Sequence, residues 1–375
     1  MVDVVIAGGG LAGLFNALLL NRAGLQVTVI EKKAYPFHRV CGEYLSNEIL
    51  PFLDSLGIDV FDWGASRIDR LEVTATSGAR LTQKLDLGGF GLSRYKLDNC
   101  LYELCLTEGV SFSLNTQVED ITFANNAFTV VTRNGVLETP LVIGAFGKRS
   151  NLDNKLNRAF FHQRSPYVGI KMHARLNFPD DVIQLNSFKN GYCGVSKIED
   201  DRYCVCSLVH RNDLRRQGSL EALQQNVINK NPYQKEIFDQ AVWLMDKPEV
   251  INEISFRKKL PVEAHILMSG DTAGMIAPLC GNGMTMAIHS AKILSQIILQ
   301  YYRPGRSFPL EQRLALEQAY RKAWNAQFAR RLWVGRQLQR VFGNNQIMHW
   351  AVQTFNKLPG VTNWLVQQTH GKAWE

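Results

Sequence analysis

No apolar stretch in the 375 residues is long enough to cross a bilayer. The longest such run, residues 4–20, is interrupted by four glycines and Asn16, whereas a spanning helix takes about 20 apolar residues. Cysteine is sparse and shows no ligand spacing. The seven are Cys41, Cys100, Cys105, Cys193, Cys204, Cys206 and Cys280, and no zinc or iron–sulfur pattern links them. Cys204 and Cys206 share one face of a strand-like run with no second ligand pair, so packing is expected of them and no metal site is expected. No secretory leader is expected, because strand-like sequence begins almost at Met1. The expected compartment is the cytoplasm, with reduced thiols. Charge is modest, at 20% of residues against 46% hydrophobic. That balance describes an ordinary globular protein with room for two cores or one large one.

The formal charge of +8 is unevenly placed. Residues 301–340 carry nine Lys/Arg against Glu311 and Glu317. Either this is a solvated helix face, or it meets an acidic redox partner, an anionic membrane surface or a phosphate on the substrate. Trp324, Trp333, Trp350, Trp364 and Trp374 lie among or beyond these cations, which suits a membrane interface and a helical lid equally well. No nucleic acid is expected as a partner.

What is present at the N-terminus can be read almost residue by residue. Val2, Val4, Val5 and Ile6 form a short apolar strand, and the chain then turns through Gly8-Gly9-Gly10-Leu11-Ala12-Gly13. A helix with Leu14, Ala17, Leu18 and Leu20 on its buried side follows, closed by Gly24. Residues 26–30 make a second strand, ending at Glu31. Gly8 permits the sharp turn, Gly10 lets backbone approach a pyrophosphate, and Gly13 lets helix pack on strand. The free N–H groups and dipole at the helix start suit phosphate. Glu31, eighteen residues beyond Gly13, can accept the hydroxyls of an adenosine ribose. Five agreeing features make this a dinucleotide site.

Further along, residues 32–46 form a long connection without periodicity, rich in polar and reactive groups. Strands are expected at 71–76, 81–87, 110–114, 117–123, 127–133 and 136–143, with turns at Asn125-Asn126 and Asn134-Gly135. Helices are expected at 48–56 and 95–108. The middle of the chain offers strands at 167–176, 191–198 and 202–209 and one helical stretch near 219–240, without phosphate-binding glycines. A strand at 266–269 leads into Gly270-Asp271. Helices at 284–299, about 310–340 and 344–369 close the chain.

Three separated segments resemble one family, the FAD-dependent oxidoreductases of the para-hydroxybenzoate hydroxylase superfamily, and within it the geranylgeranyl-reductase branch. They are the N-terminal unit, the P-x-x-x-x-C-G-x-x-L loop from Pro36 to Leu45, and Gly270-Asp271-Thr272-Ala273-Gly274 continuing through Pro278 to Met284. The resemblance implies an α/β fold: a Rossmann-like, three-layer FAD-binding domain on a parallel sheet, an inserted α+β substrate domain on an antiparallel sheet, and C-terminal helices. The expected boundaries are 1–65, 93–150 and 261–300 for the FAD domain, 66–92 and 151–260 for the substrate domain, and 301–375 for the helical region.

FAD is therefore the expected cofactor. Its contacts would come from Gly8, Gly10, Leu11, Ala12, Gly13, Glu31 and Lys32, with Arg39 at the phosphates and Cys41 and Gly42 against the flavin. The family pattern adds Arg94, heading an R-x-x-x-D-x-x-L helix start, Val118 at the adenine, and Gly147 in the turn from Ala145 to Ser150. Asp271 can accept hydrogen bonds from ribityl hydroxyls. Gly281, Asn282, Gly283 and Met284 would bring backbone and a helix dipole to the flavin edge, where reduced FAD carries negative charge. Phe146 stands where the hydroxylases have an aspartate, which leaves the electron donor open between NAD(P)H and a reduced carrier protein. The expected substrate is a hydrophobic small molecule (isoprenoid, polyketide or aromatic), reduced at a double bond or hydroxylated. An NAD(P)H-dependent aromatic-ring monooxygenase and a non-catalytic flavin electron-transfer protein are the alternatives. Candidate catalytic groups are Cys41, Glu43 and Tyr44, with His38 and Lys171 or His173 as further polar groups. His173 and His265 fit satisfied structural histidines better.

Overall fold

The computed structural model describes residues 2–342, 345–357, 360 and 373–374. Strand Val4–Ala7 sits in the middle of a six-stranded sheet, between Leu141–Gly144 and Val27–Ile30. Ser111–Ser113 lies beyond one side and Ile266–Met268 beyond the other, all parallel, with short Val262–Glu263 antiparallel at the edge. Val4, Val5 and Ile6 are fully buried, as a parallel sheet covered on both faces requires. Helix Leu11–Arg22 packs between this sheet and helices Arg94–Thr107 and Gly283–Tyr301. A separate three-stranded antiparallel sheet, Val118–Ala124, Ala127–Thr132 and Gly135–Thr139, completes the nucleotide-binding half.

The second half is a nine-stranded sheet built mainly from Ser66–Thr74, Arg80–Gly91, Tyr167–Arg175, Val182–Phe188, Gly191–Lys197 and Tyr203–His210. Its two faces carry different residues. Cys193, Val195, Tyr203 and Val205 pack into a core of their own with Leu223, Ile228 and Ile237. Leu185, Tyr192 and Leu208 belong instead to the large core shared with the nucleotide-binding half.

Several local expectations change. The strand expected at 136–143 is two strands, broken at Pro140, which has no N–H for a ladder, as the chain passes from the small sheet to the parallel one. The helical stretch near 219–240 is two helices, Leu220–Asn226 and Pro232–Gln240, joined by a short 3-10 turn at Ile228–Lys230, and a further helix, Arg211–Gln217, ends ahead of it at left-handed Gly218. Strands Val182–Phe188 and Glu249–Ile254 were not expected. Tyr44–Ser46, placed by sequence in the FAD domain, pairs with residues 89–91 of the large sheet. The helix expected at 344–369 is described as Asn345–Lys357. Most of its remainder, Trp364 included, lies outside the described residues.

The C-terminal cations divide: Arg303, Arg306, Arg321, Lys322 and Arg330 are exposed, while others turn inward. Arg313, on helix Leu310–Phe342, is almost fully buried and donates to the carbonyls of Asn126 and Pro140 at 3.2 and 2.8 Å. Arg331 reaches Glu48 at 3.4 Å, and Arg321 pairs with Glu317. No helix among the described residues is long and apolar enough to cross a membrane. Because Arg313 satisfies two buried carbonyls and lies over the rings of Phe123, Phe128 and Phe308, Arg313→Ala should cost about 3 kcal/mol. Urea denaturation measures this, and an unchanged midpoint would show that the arginine carries no such load.

Candidate cofactor and substrate cavity

One cavity of about 660 Å³ runs from the N-terminal glycine turn to the large antiparallel sheet. Its nucleotide end follows from backbone constraints. Gly8 has φ +108°, and a Cβ there would collide with the Ala145 carbonyl. A Cβ on Gly13 would strike the Gly8 carbonyl. Gly10 caps helix Leu11–Arg22 without any side-chain cap, so the first-turn N–H groups and the dipole face the cavity.

Glu31 is buried at the rim, and its carboxylate accepts from the Gly9 N–H at 2.9 Å and the Lys33 N–H at 3.2 Å. Two guanidinium groups converge on Asp98: Arg94 at 2.7 Å through both nitrogens and Arg39 at 3.0 Å. Burial would lower the Arg94 pKa, but Asp98 holds it above its ordinary value. The pair therefore presents fixed positive charge beside the glycine turn, the donor set a pyrophosphate takes.

At the other end, Asp271 lies in the turn Gly270–Thr272. Two buried cations hold this turn from behind. Lys259 donates to the Asp271 carbonyl at 2.7 Å and to the Lys148 carbonyl at 2.8 Å, and Arg158 donates to the Thr272 carbonyl at 3.0 Å. Burial brings Lys259 down to about 8. Gly281 is left-handed, with the Tyr44 ring 3.0 Å from where its Cβ would stand. Helix Gly283–Tyr301 then starts at the cavity wall. A glycine cradle, paired arginines, a ribose-side acid and a second helix N-terminus together fit FAD.

A family described as FAD binding domain matches residues 1–312. The chain belongs to that family. This FAD-dependent oxidoreductase is 23% identical to 3-hydroxybenzoate 6-hydroxylase of Klebsiella oxytoca, over 97% of this chain and 96% of the relative. Among solved structures it is similar to the flavin-dependent brominase Bmp2, with a TM-score of 0.79 and 17% identity over 100% of this chain and 94% of that one. It is likewise similar to a geranylgeranyl bacteriochlorophyll reductase-like protein of Thermoplasma acidophilum, with a TM-score of 0.78 and 17% identity over 99% and 96%. The para-hydroxybenzoate hydroxylase type of superfamily and the α/β fold expected from sequence both hold.

Of the residues expected to touch cofactor or substrate, Gly8, Gly10, Leu11, Ala12, Glu31, Lys32, Arg39, Cys41, Gly42, Glu43, Tyr44, Arg94, Val118, Gly147, Asp271, Gly281, Gly283 and Met284 all line the oxidoreductase's cavity. Gly13 sits behind the turn. Asn282 is fully buried, with its amide turned to Glu48 at 3.1 Å.

The three candidate catalytic groups separate. Cys41 is half-buried on the cavity wall. Tyr44 is buried, and its hydroxyl is held in the phenol form because burial pushes its pKa up. Glu43 has no exposed surface and a left-handed backbone, φ +56°. Its carboxylate accepts from Lys171 Nζ at 2.5 Å, His173 Nε2 at 2.6 Å and the Arg94 N–H at 2.8 Å. Burial alone would raise its pKa, yet Lys171 and His173 bring it down to about 2. A carboxylate so held is an anchor for the loop between Pro36 and Leu45, not a proton carrier near neutrality. His173 is thereby satisfied, and His265 is satisfied by Glu317 at 2.8 Å. Glu43, His173 and Cys204 place their ligand atoms within 4.8 Å of one another, but Lys171 already compensates the carboxylate, so the cluster is complete without an ion.

Sequence reasoning missed Lys259 and Arg158, which reach the carbonyls of Lys148 and Thr272 more than a hundred residues away, Arg158 pairing also with Asp153 and Glu263. It also missed the wall residues Ile183 and Leu185, whose strand mixes Gln184, Asn186 and Ser187 with apolar residues and so lacks a clean alternation.

Glu43 gives a pH prediction. Its folded pKa of about 2 lies below the ordinary 4.5, so its contribution is complete above about pH 4.5 and disappears as pH falls toward 2. Glu43→Gln should cost about 3–5 kcal/mol at pH 6. The gap in urea midpoint between wild type and variant should then close between about pH 4.5 and 2, and a gap independent of pH would contradict the assignment.

Proposed function

We propose that this oxidoreductase hydroxylates an apolar small molecule with an aromatic core. The observation that carries this is the cavity's sheet-side wall. Ile183, Leu185, Tyr192, Gly194, Ser196 and Cys206 line it, and none of them is charged. Val250 and Ile251 extend the apolar lining toward the mouth. Such a wall favours a molecule that gains by leaving water. The hydroxylase relative, aligned over nearly the whole of both chains, supports oxygen insertion.

Bound FAD supplies the two-electron chemistry. The chain's part is to hold the acceptor flat against the cofactor and to keep water out. Tyr192 and Leu185 of the large sheet, the turn from Pro278 to Gly283 and Cys41 all line the same cavity. Lys148 ties the Cys41 loop to the flavin-side turns by donating to the Val40 carbonyl at 3.0 Å. Arg39 and Arg94, both held on Asp98, would hold the cofactor's phosphates.

Phe146 favours a second reading, reduction of a double bond with electrons from a carrier protein. It lines the cavity where the hydroxylase pattern has a carboxylate. The two separate in an oxygen electrode. The hydroxylase reading predicts NADPH oxidation and oxygen uptake stimulated by an apolar phenol such as 1-naphthol, with product gaining one oxygen atom. The reductase reading predicts no such stimulation, and anaerobic reoxidation of the dithionite-reduced protein by an apolar alkene. Neither response in FAD-loaded protein would point to a flavin protein without turnover.

A further inference from the structure

Glycines along the large sheet fall into two groups. In the first, packing forbids a side chain. A Cβ on Gly91 would collide with the Lys197 carbonyl, one on Gly191 with the Leu208 carbonyl, and one on Gly169 would lie 2.9–3.1 Å from Ile254, Val40 and Ile251. Gly194 is different. It lies inside strand Gly191–Lys197, its backbone is not left-handed, and a Cβ there would meet only Leu185 Cδ2 at 3.5 Å and the Cys206 carbonyl at 3.8 Å. Those are ordinary contacts. Neither conformation nor packing requires glycine there, while a glycine inside a strand weakens it.

The position also faces the right way. Tyr192, Gly194 and Ser196 line the cavity, while Cys193 lies in the opposite core. Gly194 and its register partner Cys206 are partly exposed within otherwise buried strands, and the surface they expose belongs to the cavity wall. On the nucleotide side, Gly10 and Gly42 likewise line the cavity with room for a Cβ. A missing side chain at a cavity wall leaves space for a ligand to approach backbone.

We propose that Gly194 is a specificity-determining residue: its missing side chain opens a slot between Leu185 and Cys206 that admits the far ring of an extended, uncharged, two-ring substrate. The proposal rests on the apolar-substrate function given above and names the substrate's size class. A single ring would fill the space near the flavin side and leave the slot empty. A second ring would lie over Gly194, where a methyl or isopropyl group would displace it.

The test uses FAD-loaded wild type, Gly194→Ala and Gly194→Val, titrated with phenol, 1-naphthol and 4-phenylphenol, and reads the perturbation of the flavin visible bands. In wild type all three probes bind. In Gly194→Val the affinity for 4-phenylphenol falls about tenfold or more while that for phenol holds, and Gly194→Ala is intermediate. Cofactor content and melting temperature stay at wild-type values in Gly194→Ala. Unchanged affinities for all probes in both cofactor-loaded variants would overturn the slot while leaving the apolar cavity intact. Loss of FAD from both variants would also overturn it, by making Gly194 a folding requirement. A wild type that binds none of the probes would remove the apolar-substrate function, and the slot with it.

Discussion

A single buried carboxylate ties the two halves of the molecule together. Glu43 belongs to the loop beside the flavin end of the cavity, Lys171 and His173 to the large sheet, and the Arg94 N–H to the start of helix Arg94–Thr107. Three donors on two different elements converge on one side chain that has no contact with water. Removing Lys171 would leave the carboxylate's charge uncompensated in a low dielectric, and losing either other donor would leave a buried acceptor short of a hydrogen bond. The loop's position is therefore specified by electrostatics, where apolar packing alone would allow it to slide. Because Arg94 continues from that N–H to Asp98, and Asp98 to Arg39, the same anchor sets the guanidinium pair at the phosphate end.

The cavity inherits its division of labour from this frame. Its nucleotide end is made of backbone, with glycines where a Cβ would collide and helix N–H groups where phosphate charge would sit. Its far end is made of an apolar sheet face. Between them, cations pin carbonyls of the turns that surround the flavin position: Lys259 on Asp271 and Lys148, Lys148 on Val40, and Arg158 on Thr272. Each of these cations donates to backbone, so the turns are held in shape while the cavity side of Asp271 stays available.

Legibility in the sequence followed the range of the constraint. Gly8, Gly10, Gly13 and Glu31 were readable because a dinucleotide turn demands those residues within one strand–helix–strand unit. Asp271 became readable once a second motif was placed beside the first. The role of Glu43 was not readable, since Lys171 and His173 are 128 and 130 residues away and nothing local distinguishes an anchoring carboxylate from a reacting one. The basic stretch at 301–340 divides in a way no count can show: Arg303, Arg306, Arg321, Lys322 and Arg330 are exposed, whereas Arg313 and Arg331 point inward to partners. The substrate wall was hidden because its strand, Val182–Phe188, mixes Gln184, Asn186 and Ser187 with apolar residues, and those polar groups are themselves buried and hydrogen-bonded.

The central claim is that Glu43 holds the flavin-side loop in place from the substrate sheet. Amide hydrogen exchange measures this most directly, comparing wild type with Lys171→Met. The account predicts faster exchange across residues 37–46 and at the start of helix Arg94–Thr107 in the variant, with weaker FAD binding and unchanged protection in strand Val4–Ala7. Equal protection of residues 37–46 in the two proteins would contradict it.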